Sequence, residues 1–213
     1  MYIIGLCGRS GSGKSTVATL LRLRGAVQID ADEVCRYVYA NDRGCIEELK
    51  ANFGEDIYKN GGIDRPLLSK RAYEAENGFK LLNSVAHKYI TYEIENRIKS
   101  LKGKRTVLLD APLLFEAGLE KRCHAVLAVV SDDKLSVKRL MRREGKSEEE
   151  LRRRLDMQIS AKELTRRSDF VIFNNGSLSE LKIKTYQAML YIHLKLNAVK
   201  RTKGRRYYAK ADC

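Results

Sequence analysis

Residues 8–15 read Gly-Arg-Ser-Gly-Ser-Gly-Lys-Ser, a full G-x-x-x-x-G-K-[ST] pattern. An apolar run, YIIGLC, precedes it and a helical pattern, STVATLLRLRG, follows. Strand, glycine loop and helix in that order leave few folds open. Glycines let successive backbone N–H groups turn inward without Cβ clashes. The helix adds its positive N-terminal end. The stretch therefore reads as a cradle for the phosphate chain of a nucleoside triphosphate. Gly8, Gly11, Ser12 and Gly13 form the loop, and Lys14 reaches the β- and γ-phosphates. The Ser15 hydroxyl is expected to ligate Mg²⁺, and Thr16 lies in reach of the α-phosphate. The alternative is a glycine-rich turn with a chance lysine.

The rest of the chain supports that frame. Short runs rich in Val, Ile and Leu recur at 2–7, 26–29, 106–110, 125–130 and 170–173. They do not alternate with polar residues, as strands buried on both faces require. Helical stretches lie between them, the βαβ rhythm of a parallel sheet with helices on both sides. Its crossovers should be right-handed. The rhythm breaks once, because no good strand is visible between 29 and 106. Within that gap Phe79, Leu82, Ala86, Ile90, Ile94 and Leu101 fall at helical spacing. The expected fold class is α/β, a three-layer P-loop fold with a five-stranded parallel sheet. Residues 1–42 and 104–198 form its nucleotide-binding core, 43–103 a helical acceptor-binding insertion, and 138–160 a helical lid.

Length and charge narrow the function. A chain of 213 residues suits one domain, or one with an insertion. No run of eighteen apolar residues and no leader-like N-terminus is visible, so a cytoplasmic protein is expected. Five cysteines without C-x-x-C spacing read as reduced thiols and give a zinc site no support. The formal net charge of +14 calls for a polyanionic partner or a basic tail. Residues 199–213 carry Lys200, Arg201, Lys203, Arg205, Arg206 and Lys210. They read as a solvated terminus, with nucleic-acid binding as the lesser alternative.

The strand ends carry the chemistry, because ligands of open α/β sheets bind there. The second strand ends in QIDADEV, with Asp30 and Asp32. A kinase needs a carboxylate to orient and accept the acceptor's hydroxyl proton. One of the pair is expected to cap the following helix, and Asp32 is assigned the chemistry. Asp110 ends the third strand as a second carboxylate for Mg²⁺, directly or through water, or as a local backbone partner. Leu113, Leu114 and Phe115 follow, to wall an acceptor pocket or to pack under the insertion. Arg65, after Gly61-Gly62 and before Pro66, either pairs with an acceptor pyrophosphate or opens a helix.

Residues 138–158, KRLMRREGKSEEELRRRLDMQ, are dense in arginine. Arg139 and Arg143 stand four apart, as do Arg154 and Gln158. Ser147 is placed to cap a helix that starts with Glu148–Glu150. Two helices around a tight turn offer arginines to a transferring phosphate, as a closing lid does. The alternative, a solvated charged hairpin, is expected for some of Arg142, Arg152 and Arg153. Asn174, Asn175 and Gly176 end the fifth strand, where they read an adenine edge or simply turn the chain.

Taken in order, GLCGRSGSGKST, IDADEV, GGIDRPLL, APLLFEAG, RLMRREG, RRRLDMQ and SDFVIFNNGS resemble the dephospho-coenzyme A kinase family, from residue 2 to about 180. The resemblance implies transfer of the γ-phosphate of ATP to the ribose 3′-hydroxyl of dephospho-coenzyme A, with Mg²⁺. It places Asp32 on the family's catalytic aspartate and Gly11 through Thr16 on its ATP loop. It also gives His87 an acceptor-side role. The family often carries His-Pro and then Ile two residues on; here HKYI puts Lys88 at the proline, which lets a helix run through. Two other readings remain: another P-loop metabolite kinase, and a nucleic-acid-associated ATPase. No N-K-x-D guanine-reading segment is present. The sequence is silent on oligomeric state.

Overall fold

The structure is a computed structural model that describes residues 1–101, 103 and 106–208, with side chains as far as 198. The elements run β1 (Tyr2–Gly8), α1 (Lys14–Arg22), β2 (Val27–Asp30), α2 (Ala31–Asn41), α3 (Arg43–Phe53), β3 (Tyr58–Lys59), β4 (Gly62–Ile63), α4 (Arg65–Glu74) and α5 (Gly78–Ser100). They continue with β5 (Thr106–Asp110), β6 (Ala125–Val130), α6 (Asp133–Glu144), α7 (Glu148–Asp156), α8 (Ala161–Arg167), β7 (Phe170–Phe173) and α9 (Leu178–Tyr208). The chain divides into two compact units, 1–28 with 105–114 and 120–213, and 29–104 with 115–119.

The first unit is built on the sheet. Its order is β2-β5-β1-β6-β7, and β1 runs parallel to β5 on one side and to β6 on the other. All five strands read from the sequence are present. Every residue of β5 and β6 is buried, which explains their unbroken apolar character. Ile4, Leu6, Leu108 and Leu127 pack with Val17, Ala18 and Leu21 of α1 and with Leu181 and Ile192 of α9. Each such fully buried Leu or Ile contributes about 1.5–3 kcal/mol relative to exposure. Because β1 has neighbours reached in opposite directions, its carboxyl end is a switch point where a crevice opens. The phosphate loop leaves the sheet at that point.

Leu114 is buried against β1 at Gly5, outside that cluster. It is fully buried, and a Cβ on Gly5 would lie 2.8 Å from its Cδ2 and from Cys123 Sγ. Leu114 therefore packs over β1 and lines no open acceptor pocket; its packing partner is the strand, where the sequence reading offers the helical insertion. Its place is set by the gap that Gly5 leaves in the strand.

The second unit is mostly helical and begins earlier than the insertion expected at 43–103. It takes in α2, whose Val34, Val38 and Tyr39 are buried and which packs on α5. A hairpin interrupts the stretch read as strand-free. β3 and β4 pair antiparallel across Asn60-Gly61, whose φ values of 52° and 82° fit a two-residue primed turn. Helix α5 buries Leu82, Val85, Ala86, Ile94 and Ile98. Phe79, expected on that stripe, is half exposed at the first turn, while Val85 and Ile98 complete the stripe. The helix is continuous through His87-Lys88-Tyr89. Lys88 donates to Glu48 of α3 at 3.0 Å and the Tyr89 hydroxyl donates to the same carboxylate at 2.6 Å. The basic segment 199–213 lies outside the residues with described side chains; the backbone of α9 runs to Tyr208.

Candidate active site

In the first unit, the phosphate loop is held open by backbone geometry. Gly11 and Gly13 have φ of 76° and 95°, values L side chains avoid. Gly13 is the N-cap of α1, and no side chain caps that helix. The first N–H groups of Lys14, Ser15 and Thr16 are thus left for a ligand. The loop is also closely packed from outside. A Cβ on Gly8 would lie 2.6 Å from Val129 O, on Gly11 2.5 Å from Ser136 O, and on Gly13 2.3 Å from Asn174 Nδ2. Asn174, itself buried, donates that amide to Ser12 O at 2.8 Å.

Lys14 donates to the Asp110 carboxylate, whose second oxygen accepts from Gln28 Nε2 at 2.9 Å. Asp110 is 5% exposed, so its charge is held where water barely reaches and Lys14 neutralises it. Ser15 is exposed on the first turn of α1. The donor set is one hydroxyl and one carboxylate, hard oxygens that fit a Mg²⁺ ion arriving with phosphate oxygens and its own waters. Among the described residues no cluster of three His, Cys, Asp or Glu could hold a metal by itself. That is expected for an ion that shares its coordination with a nucleotide.

Two helices follow β6 and form the expected hairpin. Gly145, left-handed with φ of 68°, ends α6, and Ser147 caps α7 by accepting from Glu150 N. Val137, Leu140, Leu151 and Leu155 give the pair its own small core. Arg139 points back to the loop, donating to Asn174 O at 3.0 Å and to Gly11 O at 3.4 Å. Arg143 is exposed and pairs with Glu144. Arg152 and Arg153 pair with Glu148 and Glu149 one turn back, in solvent. Such pairs contribute about 0.3–0.5 kcal/mol each.

Asn175 does not offer its amide to a ligand. Its Oδ1 accepts from Asp132 N and its Nδ2 donates to Asp132 Oδ1, both at 2.9 Å. Asn174 is engaged through its side chain, its N–H, which donates to Val130 O at 2.7 Å, and its carbonyl, which accepts from Arg139. A Cβ on Gly176 would meet only the carboxylate end of the exposed Glu180, which can swing aside. Beside the loop lies a groove of about 460 Å³, lined by Ser15, Thr16, Thr19, Leu20, Leu178 and Lys182. The sequence reading did not single out its last four residues, which carry no motif.

In the second unit, the two strand-end aspartates take different tasks. Asp30 caps α2, accepting from Asp32 N at 2.8 Å and Glu33 N at 3.2 Å. Asp32 is exposed on the first turn of α2. Arg65 opens α4, with Asp64 as cap, accepting from Leu67 N, and Pro66 next. Asp32 and Arg65 share a neighbourhood: both act on Cys35. Burial pushes that thiol up, Arg65 pulls it down and Asp32 raises it. His87 is half-buried on α5, and desolvation lowers its pKa against the opposing charge of Glu116. Phe115 is buried.

The sequence profile of the dephospho-CoA kinases matches residues 2–180. A dephospho-CoA kinase of Corynebacterium glutamicum is 35% identical over 200 residues, 92% of this chain and all of its relative. One from Geobacillus kaustophilus is 40% identical, covering 84% of this chain and 90% of its own. Among solved structures, a Thermus thermophilus protein superposes with a TM-score of 0.77 at 35% identity, over 89% of this chain and 96% of that one. The Campylobacter jejuni dephospho-CoA kinase has the same fold, with a TM-score of 0.68 over 89% of this chain and 96% of its own. The profile covers β1 through the start of α9, glycine loop, aspartate pair and arginine hairpin included, and on that coverage the chain belongs to the dephospho-CoA kinase family.

Proposed function

We infer that this enzyme transfers the γ-phosphate of ATP to the ribose 3′-hydroxyl of dephospho-coenzyme A, giving ADP and coenzyme A, the last step of coenzyme A biosynthesis. The observation that carries phosphoryl transfer is the uncapped N-terminus of α1, with Lys14 held on a buried Asp110 beside it. The family supplies the acceptor.

The proposed division of labour follows from the residues. Main-chain N–H groups from Gly11 to Thr16 hold the phosphate chain, and Lys14 moves from Asp110 toward the β- and γ-oxygens. Ser15 and Asp110 are the residues that would hold Mg²⁺, which would supply positive charge against the phosphate oxygens. ATP brings the transferable group. Arg139 bears on the loop and is proposed to stabilise charge spread over the transferring oxygens; Arg143, exposed, is proposed to join the nucleotide side. Backbone at Asn175–Gly176 is proposed to face adenine. On the acceptor, Asp32 takes or orients the 3′-hydroxyl proton, Arg65 pairs with the pyrophosphate, and His87 and Phe115 are proposed to shape the site. A cytoplasmic setting fits the unbridged Cys7, Cys35, Cys45 and Cys123.

A substrate panel tests the reading. ADP release should require dephospho-coenzyme A and be negligible with nucleosides or nucleotides. ATP turnover stimulated instead by DNA or RNA, and abolished by deleting 199–213, would replace it with the nucleic-acid reading.

A further inference from the structure

In the loop pattern the residues between the first two glycines are arbitrary, yet here Arg9 and Ser10 are the most heavily tied part of the loop. Arg9 forms an ion pair with Asp133 at the start of α6 and donates from Nη2 to Leu155 O near the end of α7 at 2.7 Å. Its side chain is only 11% exposed. Ser10 is held twice by one amide. Its N–H donates to Gln158 Oε1 at 2.9 Å, and Gln158 Nε2 donates to its Oγ at 2.9 Å. Gln158 stands just past α7. All four contacts therefore run from the phosphate loop to the base of the arginine hairpin.

We propose that Gln158 and Arg9 are positioning residues: they pre-shape the phosphate loop for nucleotide and lock the base of the arginine hairpin to it. The proposal rests on the kinase reading above and deepens it. Three of the eight residues from 8 to 15 are glycines, so an unbraced loop would lose much conformational freedom on binding a triphosphate. Braces made before binding remove that cost from the binding step. Because the other ends of the braces belong to α6 and α7, nucleotide affinity and hairpin position are linked, and the linkage is reciprocal. Neither residue touches the reacting atoms in this scheme; both act through the loop and through Arg139, which sits on the same hairpin.

Gln158→Leu removes both bonds to Ser10 at similar volume. Affinity for ATP, titrated without acceptor, should fall about tenfold, the worth of two neutral hydrogen bonds. In turnover, kcat/KM for ATP should fall with it, while KM for dephospho-coenzyme A stays within about twofold. Ser10→Ala should cost less, and Ser10→Ala with Gln158→Leu should be no worse than Gln158→Leu alone. Unchanged ATP affinity in Gln158→Leu would overturn the proposal. So would additive effects in the double variant, or equal losses toward both substrates. The acceptor-free titration stands whatever the acceptor proves to be, so failure of the kinase reading would show separately, in wild-type enzyme.

Discussion

Asp30 and Asp32 stand two residues apart, and the backbone divides their work. Asp30 spends a carboxylate oxygen on two N–H groups of α2, while Asp32 stays exposed beside it. Asp32→Asn should keep ATP affinity and lose transfer, measured by nucleotide titration beside product formation. Asp30→Ala should instead cost about 1 kcal/mol of stability, as lost caps do, read from denaturant unfolding. Lys14 has two tasks. Lys14→Ala should cut kcat by about 10²–10³-fold and also leave the buried Asp110 without its cation, costing about 1–3 kcal/mol. Adding Asp110→Asn should return the stability and not the activity. The loop residues were legible in sequence because glycine and lysine chemistry at fixed spacing has one common purpose. The sequence assigns the chemistry to Asp32 and a cap to one of the pair, and the structure gives the cap to Asp30. Leu114 was misleading: an apolar residue in a loop looks like a pocket wall until Gly5 is seen to leave room for it inside.

At the level of elements, strands buried on both faces read well and short ones did not. β5 and β6 are continuous apolar runs and appear where expected. β3 and β4 are two residues each, too short for periodicity, and only Asn60-Gly61 announced them. The α5 stripe was read with the right period but the wrong first member, because Phe79 lies in the first turn, near the left-handed Asn77 cap. Lys88 lies within that continuous helix. Lys88→Pro should remove a backbone bond and clash with the preceding turn, destabilising the protein by about 3 kcal/mol. A stable Lys88→Pro variant with unchanged helix content by circular dichroism would mean that α5 is not continuous at that point. The arginine hairpin was legible as two capped helices around Gly145, but its attachment through Arg9 and Gln158 was not. Both residues are polar in ways that fit any surface, and only the fold shows what they face.

For the whole molecule, the charge balance separates two pH windows. His87 and His193 are pushed below their ordinary 6.5, chiefly by burial, and His193 Nε2 lies 2.9 Å from Thr106 Oγ1. A lowered folded-state pKa means the unfolded chain binds more protons, so stability is full above about 6.5 and falls as pH drops below it. Melting at pH 7.5 and 5.5 should show that loss, and a variant with both histidines replaced by Gln should flatten it. The half-buried Glu48, Glu144 and Glu163, held low by Tyr89, Arg143 and Arg166 respectively as first cause, withdraw their support only below 4.5, in a separate window. The formal net charge of +14 favours anionic ligands generally. The most direct test is a time course with dephospho-coenzyme A as sole acceptor. ADP and 3′-phosphorylated product should rise together, one for one, and both should vanish in Asp32→Asn. ADP formed without that product, or ATP bound and never turned over, would contradict the account.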